Sequence, residues 1–473
     1  MLSDPQITVD LYEHQNQGVK WMTNREKAET NKGGINADDV GMGKTVMALG
    51  TIINNKVPNT LLIVPKTLIN QWMTEISKFS NGLIIDVPDP KKDNFSYNKD
   101  PSKISITIIS SSRLNMTGAT KWTKYHTVEW DRIIIDEAHC IKNKKTKLHV
   151  NCMNLKTDIK WLLTATPVMN KMTDFVHMMG FIGISQHECQ TKREEITNEY
   201  ILHRKNKIDD LPELEVKEVL VPLTVEEDIY KSVEVDVANF IKTQTNHIAI
   251  LEKLLRLRQI CIHPQIFLDG VAKKEKTNSD NWERASSKLI EFRKHLSFDA
   301  KCIVFCHFIQ EIDIYMRDSI ENGYNCLHLD GRLNQDERNT VISKFKDNEG
   351  ANVHVLFMQI NVGGTGYNLQ EANKIIFTSP DWTPALEHQA IGRAHRNGQL
   401  RKVSVIKLLT TCGDDSISIE MQMLELKKQK ESQIHNIMVD AFGNKESRVE
   451  QIKAITTSDI KKMFKKTTPM LVS

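Results

Sequence analysis

Short apolar runs recur along this chain, each closed by a polar loop, and that alternation restricts the fold more than any other feature. Residues 61–64 (Leu-Leu-Ile-Val) stop at Pro65, and residues 104–109 run into Ser110-Ser111-Ser112-Arg113. Residues 132–135 deliver Asp136-Glu137-Ala138-His139, and residues 161–163 lead to Thr164, Ala165 and Thr166. Such runs suit strands buried on both faces, the habit of parallel sheets, and parallel neighbours need crossover helices. Residues 65–79 supply one, with Trp72, Ile76 and Phe79 at helical spacing, whereas residues 86–103, rich in Pro, Asn, Lys and Asp, read as a solvated excursion. The alternation returns later in strands at 302–305, 326–329, 353–357, 374–377 and 403–406, with a helix over 336–345 that places Val341, Ile342 and Phe345 on one face. The expected fold class is α/β, built as two parallel-sheet lobes.

Between the two alternations the pattern changes. Residues 174–221 read as helical and mixed, with 209–212 as a connector, and 229–241 and 248–255 keep helical spacing. Residues 269–280, with Lys273-Lys274-Glu275-Lys276, read as a solvated loop. The expected organisation is an N-terminal lobe at 1–215, a linker and helical insertion at 216–285, a C-terminal lobe at 286–430 and a helical extension at 431–473. In the extension, Thr457-Ser458-Asp459 before the basic run 461–466 favours a capped helix over a nucleic-acid patch.

Composition sets outer bounds. A chain of 473 residues has room for about three domains at roughly 150 residues each, or two larger ones. With 40% apolar and 26% charged residues, and no apolar run near the ~20 residues of a membrane span, no membrane partner is expected. The N-terminus shows no secretory pattern, and the eight cysteines form no C-x-x-C pair, which points to reduced thiols inside a cell. A net charge of +3 does not announce a nucleic-acid binder, so any DNA groove must come from local charge.

Residues 35–45, Ile-Asn-Ala-Asp-Asp-Val-Gly-Met-Gly-Lys-Thr, read as a nucleotide phosphate cradle. Gly41 and Gly43 let backbone approach a polyphosphate, Lys44 neutralises its charge, and Thr45 offers a hydroxyl to Mg²⁺. Helical residues follow, so the phosphates would meet a positive helix end. The strict pattern has glycine at 38, where this chain has aspartate. An acidic pair such as Asp136-Glu137 at the end of a buried strand suits a metal and an attacking water. Arg393 and Arg396, three apart, are expected on one helical face, suited to charge on a transferring phosphoryl group.

In chain order, from residue 11 to about 430, these segments resemble the Swi/Snf-type DNA translocases, DEAH-box members of the helicase-like ATPases with two RecA-like lobes. Residues 11–22 are similar to the family's glutamine motif, 37–45 to its phosphate loop, 136–139 to its DEAH box and 163–167 to its third motif, with Ala165 where glycine is usual. Residues 257–264, Leu-Arg-Gln-Ile-Cys-Ile-His-Pro, match a family-specific segment, and 329–331, 363–369, 381–384 and 389–399 complete the set. Aspartate at 38 is normal for the family, whereas Phe305-Cys306-His307-Phe308 departs from the usual Phe-Ser-Gln-Phe.

The resemblance implies two RecA-like lobes of phosphate-loop NTPase type with helical insertions between them, and ATP and Mg²⁺ as cofactors. Gln15, Asp38, Gly41, Gly43, Lys44, Thr45 and Gly364 would bind ATP, Gln15 through its adenine, and Thr45 and Asp136 would hold the metal. Lys44, Asp136, Glu137, Arg393 and Arg396 would be catalytic, the arginines reaching across a cleft. Lys66, Thr67, Ser111, Arg113, Gly363, Thr365 and Trp382 would contact DNA, and His139, Thr164, Thr166 and Gln389 would couple the sites. The implied activity is ATP-dependent translocation on double-stranded DNA by a monomeric motor that remodels or displaces bound proteins, with nucleosomes or a transcription complex as partners. A strand-separating helicase and an ATP-gated DNA-binding module are the alternatives. An intracellular setting is expected: the nucleus, or, for a virus-encoded protein, the cytoplasm or virion.

Overall fold

A computed structural model describes residues 4–89, 95–114, 123–165, 172–204, 211–243, 246–347, 352–363, 367–396, 398–413 and 417–429. The chain forms two compact units, the described residues up to Arg204 and those from Leu211 onward. The expected extension at 431–473 lies outside the described residues, as do Thr166, Gly364 and Thr365.

The first unit is a seven-stranded, wholly parallel sheet. Its order is Ile84–Asp86, Ser105–Ser110, Asn59–Val64, Glu129–Asp136, Lys156–Leu163, Gly33–Asn36 and Ile201–Leu202. Both faces are covered, which is why strand residues are apolar without alternation. Leu61 and Ile63 join a core with Tyr125, Trp130 and Phe181, while Leu62 and Val64 join one with Met22, Met47 and Trp72. Gly33–Asn36 carries a single branched apolar residue, Ile35, yet is fully buried as a strand. Its assignment comes from pairing with Lys156–Leu163 and not from pattern.

A buried ion pair fixes the helix Glu13–Glu26 to this sheet. Arg132 Nε and Nη2 reach Glu26 at 2.6 and 2.5 Å, and both side chains are fully buried. Trp161 Nε1 (2.8 Å) and Asn55 Nδ2 (2.6 Å) also donate to Glu26, so its oxygens are satisfied. Removing one partner would strand a buried charge at a cost of about 3–5 kcal/mol. The helix end opposite Glu26 carries Gln15, so this anchor sets where the glutamine lies.

The second unit is a six-stranded parallel sheet in the order Leu214–Pro222, Val403–Thr411, Lys374–Phe377, Cys302–Cys306, Val355–Gln359 and Cys326–Leu329. Phe345 is buried against it from the helix Gln335–Lys346, with Val341 and Ile342 beside it. Two expectations are corrected here. Leu214–Pro222, read as helical, mixed or linker sequence, is an edge strand paired along its whole length to Val403–Thr411. Its side chains are mostly exposed, so no apolar pattern marks it. The supposed loop at 269–280 is helical to Glu275, as part of Pro264–Glu275, and Lys273 and Lys274 complement the dipole of its last turn.

That helix has a titratable cap. Gln265 donates its backbone N–H to His263 Nδ1 at 3.2 Å, and burial pushes the imidazole down to about 4 against the pull of Asp318 and Asp269. A histidine held neutral in the fold stabilises fully above its unfolded value of about 6.5 and loses that contribution as pH falls toward about 4, by up to about 3 kcal/mol. His263→Asn keeps an acceptor cap that cannot titrate. Its melting temperature should therefore fall less than the wild type's between about pH 7 and pH 5. An equal fall would remove His263 from the acid response.

Candidate nucleotide site

The strand Gly33–Asn36 ends in the loop 37–43, and Gly43 then caps the helix Lys44–Asn54. Gly41 and Gly43 have φ of 88° and 85°, a region that admits glycine without strain. A Cβ on Gly43 would also lie 2.4 Å from Gln15 Nε2. Gln15 is buried behind the loop, accepting from the Tyr12 N–H at 3.1 Å and donating to Met42 O at 3.4 Å, while His14 Nε2 lies 3.1 Å from the same carbonyl. The glutamine thus braces the loop in addition to any contact with a base.

Lys44 Nζ donates to the carbonyls of Asp38 (2.6 Å) and Asp39 (3.1 Å), closing the cradle on itself. Burial lowers its pKa, opposed by Glu137, Asp136, Asp38 and Asp39. Asp38 explains why aspartate replaces glycine. It is fully buried, accepts from Arg204 Nη2 at 2.5 Å and from the Arg204 backbone N–H at 2.9 Å, and Arg204 Nη1 reaches His14 O at 2.5 Å. Sequence reasoning missed Arg204, whose partners lie 166 and 190 positions away.

Register brings the carboxylates to the loop. Asp136 pairs with Leu163, which pairs with Asn36, so the ends of three neighbouring strands line up. Thr164, just beyond, is buried and donates its N–H to Asn36 O at 3.1 Å. Burial and the neighbouring Glu137 raise Asp136 to about 6, against the opposing pulls of Trp72, the Glu137 N–H and Lys44. Trp72 Nε1 donates to Asp136 Oδ2 at 2.8 Å, a second contact the sequence did not disclose. Glu137 has φ 49° and ψ 50°, the left-handed region, which costs a non-glycine residue about 1 kcal/mol or more. Its N–H bonds Asp136 Oδ1 at 2.8 Å, and its Oε2 lies 3.2 Å from His139 Nδ1. Thr45 occupies the first turn of the helix. A hydroxyl and a carboxylate are the hard oxygen donors Mg²⁺ takes, and the ammonium and free helix N–H groups fit a polyphosphate.

The DNA candidates of this unit follow two adjacent strands at the same sheet edge. Lys66 is exposed and Thr67 half-buried in the 3₁₀ turn Lys66–Leu68, and Ser111 and Arg113 lie in the turn Ser111–Leu114. Arg113 is already engaged, with Nη1 2.7 Å from Pro88 O and its guanidinium 5.9 Å from the Tyr125 ring.

In the second unit the arginines are not on a helix. The helix Pro384–Ile391 ends before them, and Arg393 and Arg396 lie in the turn that follows Gly392. Arg393 is buried, its carbonyl accepting from the Leu369 N–H at 2.9 Å, and Arg396 Nη1 donates to Asn368 Oδ1. Gln389 is buried on that helix, Gly363 ends the short helix Ile360–Gly363, and Trp382 is half-buried against the helices Glu227–Thr243 and His247–Ile262. Arg258, from the family-specific segment, is buried and donates to Ser379 Oγ (3.1 Å) and Pro380 O (2.6 Å), just before Trp382. His307, where the family usually has glutamine, donates from Nε2 to Ser379 O at 3.0 Å, and burial holds its imidazole well below the usual range.

A phosphate loop between strand and helix, with an acidic pair at the end of the parallel strand two places along the sheet, defines a phosphate-loop nucleotide hydrolase. Comparison with known proteins narrows this class. The SNF2-related domain matches residues 14–266 and the helicase conserved C-terminal domain matches residues 285–398. The chain belongs to the SNF2-related family and is a helicase-type ATPase.

Among its relatives, a probable global transactivator of Orgyia pseudotsugata multicapsid polyhedrosis virus is 27% identical, over 96% of this chain and 94% of that protein. The human SWI/SNF-related matrix-associated actin-dependent regulator of chromatin subfamily A member 1 is 24% identical over 94% of this chain. The chain spans 46% of that human protein and 44% of a Mycoplasma pneumoniae helicase relative. A solved SWI2/SNF2 ATPase core of Sulfolobus solfataricus in complex with dsDNA aligns with 92% of this chain and 94% of its own, at 27% identity and a TM-score of 0.41.

Proposed function

We propose that this protein is an ATP-driven translocase on double-stranded DNA that displaces or remodels proteins bound there. The observation that carries the reading is the convergence of Lys44, Asp136 and Glu137 at one sheet edge, in a chain of the SNF2-related family. A viral transactivator and a human chromatin regulator among its relatives favour transcription complexes or nucleosomes as targets, in a nucleus or a virus-infected cell. The motor acts as a monomer.

In this reading Asp38, Gly41, Gly43, Lys44, Thr45 and Gly364 bind ATP, and Gln15 recognises adenine. Thr45 and Asp136 hold Mg²⁺, which supplies charge neutralisation at the phosphates when bound. Glu137, held in its left-handed turn, orients the attacking water and accepts its proton. Lys44 moves from the carbonyls of Asp38 and Asp39 to the phosphates. Arg393 and Arg396 stabilise charge on the transferring group, while His139, Thr164, Thr166 and Gln389 relay the nucleotide state. Lys66, Thr67, Ser111, Arg113, Gly363, Thr365 and Trp382 contact DNA, largely through its phosphates, so binding is sequence-independent and salt-sensitive.

ATPase rates with no nucleic acid, single strands, duplex, RNA and nucleosomes test the reading, and duplex DNA or nucleosomes should stimulate most. Displacement of a third strand from a triplex without unwinding of a tailed duplex supports translocation, whereas unwinding would make the protein a helicase. Arg396→Ala should keep nucleotide affinity and lose DNA-stimulated turnover by about 10³-fold. Unimpaired turnover would withdraw the arginine role.

A further inference from the structure

We propose that Trp72 is a positioning residue that ties the DNA-contacting turn Lys66–Leu68 to the metal-binding carboxylate of Asp136; the proposal rests on the translocase reading above.

The indole is 2% exposed, and its Nε1 donates to Asp136 Oδ2 at 2.8 Å. Oδ1 accepts from the Glu137 N–H. Each oxygen keeps a second lone pair, so the two donors fix the carboxylate plane without exhausting its capacity to ligate. Trp72 belongs to the helix Ile69–Phe79, which continues directly from the 3₁₀ turn holding Lys66 and Thr67. Leu68, Trp72 and Ile76 are all buried in the same core. Turn and helix therefore move as one body, and Lys66 lies about 9 Å along it from Trp72.

Thr67 Oγ1 is shielded and has no hydrogen-bond partner among the described residues. A duplex phosphate would satisfy it once the turn shifts. A shift of the turn displaces the indole, and the indole displaces Asp136. DNA engagement would thereby reposition the carboxylate that would hold the metal, and misplacements of about 1 Å can change rates by about 10²-fold.

Trp72→Phe removes the donor, and Trp130→Phe is the matched control, because it removes a similarly buried indole donor from the Tyr125 carbonyl in the same unit. The readouts are the gain in affinity for a fluorescent ATP analogue when Mg²⁺ is added, and the ratio of ATPase rates with and without duplex DNA. Trp72→Phe should reduce both by about tenfold or more, as loss of a metal-ligand support does, while Trp130→Phe leaves both near wild type. Should Trp72→Phe fail to melt cooperatively, 3-benzothienylalanine at position 72 keeps the bicyclic shape and replaces only the N–H. Equal behaviour of the two variants would overturn the proposal, leaving Trp72 as packing. A lost Mg²⁺ gain with an intact DNA ratio would overturn the link to DNA. A wild type that DNA does not stimulate would count against the translocase reading instead, with the Mg²⁺ gain still deciding the positioning role.

Discussion

Lys44→Ala is expected to abolish ATP turnover, by about three orders of magnitude or about 4 kcal/mol of transition-state stabilisation. Lys44 already sits among Asp38, Asp39, Asp136 and Glu137, while the Arg204 guanidinium beside the same loop is engaged by Asp38. A polyphosphate drawing Lys44 away would release the carbonyls of Asp38 and Asp39, and alanine would leave the phosphate charge uncompensated. Steady-state ATPase with duplex DNA is the measurement, beside nucleotide-free DNA binding, which should persist. Undiminished turnover would move the nucleotide site away from residues 37–45.

Glu137→Gln should be nearly as severe in rate and opposite in binding. The amide keeps size and hydrogen bonding but cannot accept the proton of the attacking water, a role worth about 10²–10⁴-fold. Nucleotide affinity should hold or rise, because the substitution removes one of the charges facing the phosphates and eases the crowding that lifts Asp136. Single-turnover hydrolysis and equilibrium binding of a fluorescent analogue separate the two effects. Rate and affinity falling together would instead make Glu137 a ground-state ligand.

The difference between these residues and Trp72 or Arg204 marks how far the chain could be read by eye. The acidic pair and the phosphate loop each fit within a dozen residues, and the chemistry they serve demands that local spacing. The buried strands at 61–64 and 132–135 were equally legible, since a parallel sheet covered on both faces leaves little but apolar residues. Gly33–Asn36 was not, because a glycine-rich strand between two partners needs no pattern of its own. Leu214–Pro222 escaped for the opposite reason, as an edge strand whose side chains meet water. Trp72 read as one more apolar helix position, and only register shows that its N–H meets Asp136, 64 positions later. Arg393 and Arg396 lie in a turn and not on the helical face that their spacing implies, because the helix Pro384–Ile391 stops short of both.

Arg204 is the last described residue of the first unit, and it is fastened by side chain and backbone to Asp38 at the root of the phosphate loop. The loop 37–43 is therefore tied to the segment that follows the strand Ile201–Leu202. Strain reaching Arg204 would pass through its bridge to Asp38 into the loop, and through its bond to the His14 carbonyl toward Gln15. Pulling force and nucleotide release would then share one joint, and a protein stalled against an obstacle on DNA would hold its nucleotide differently from one running free.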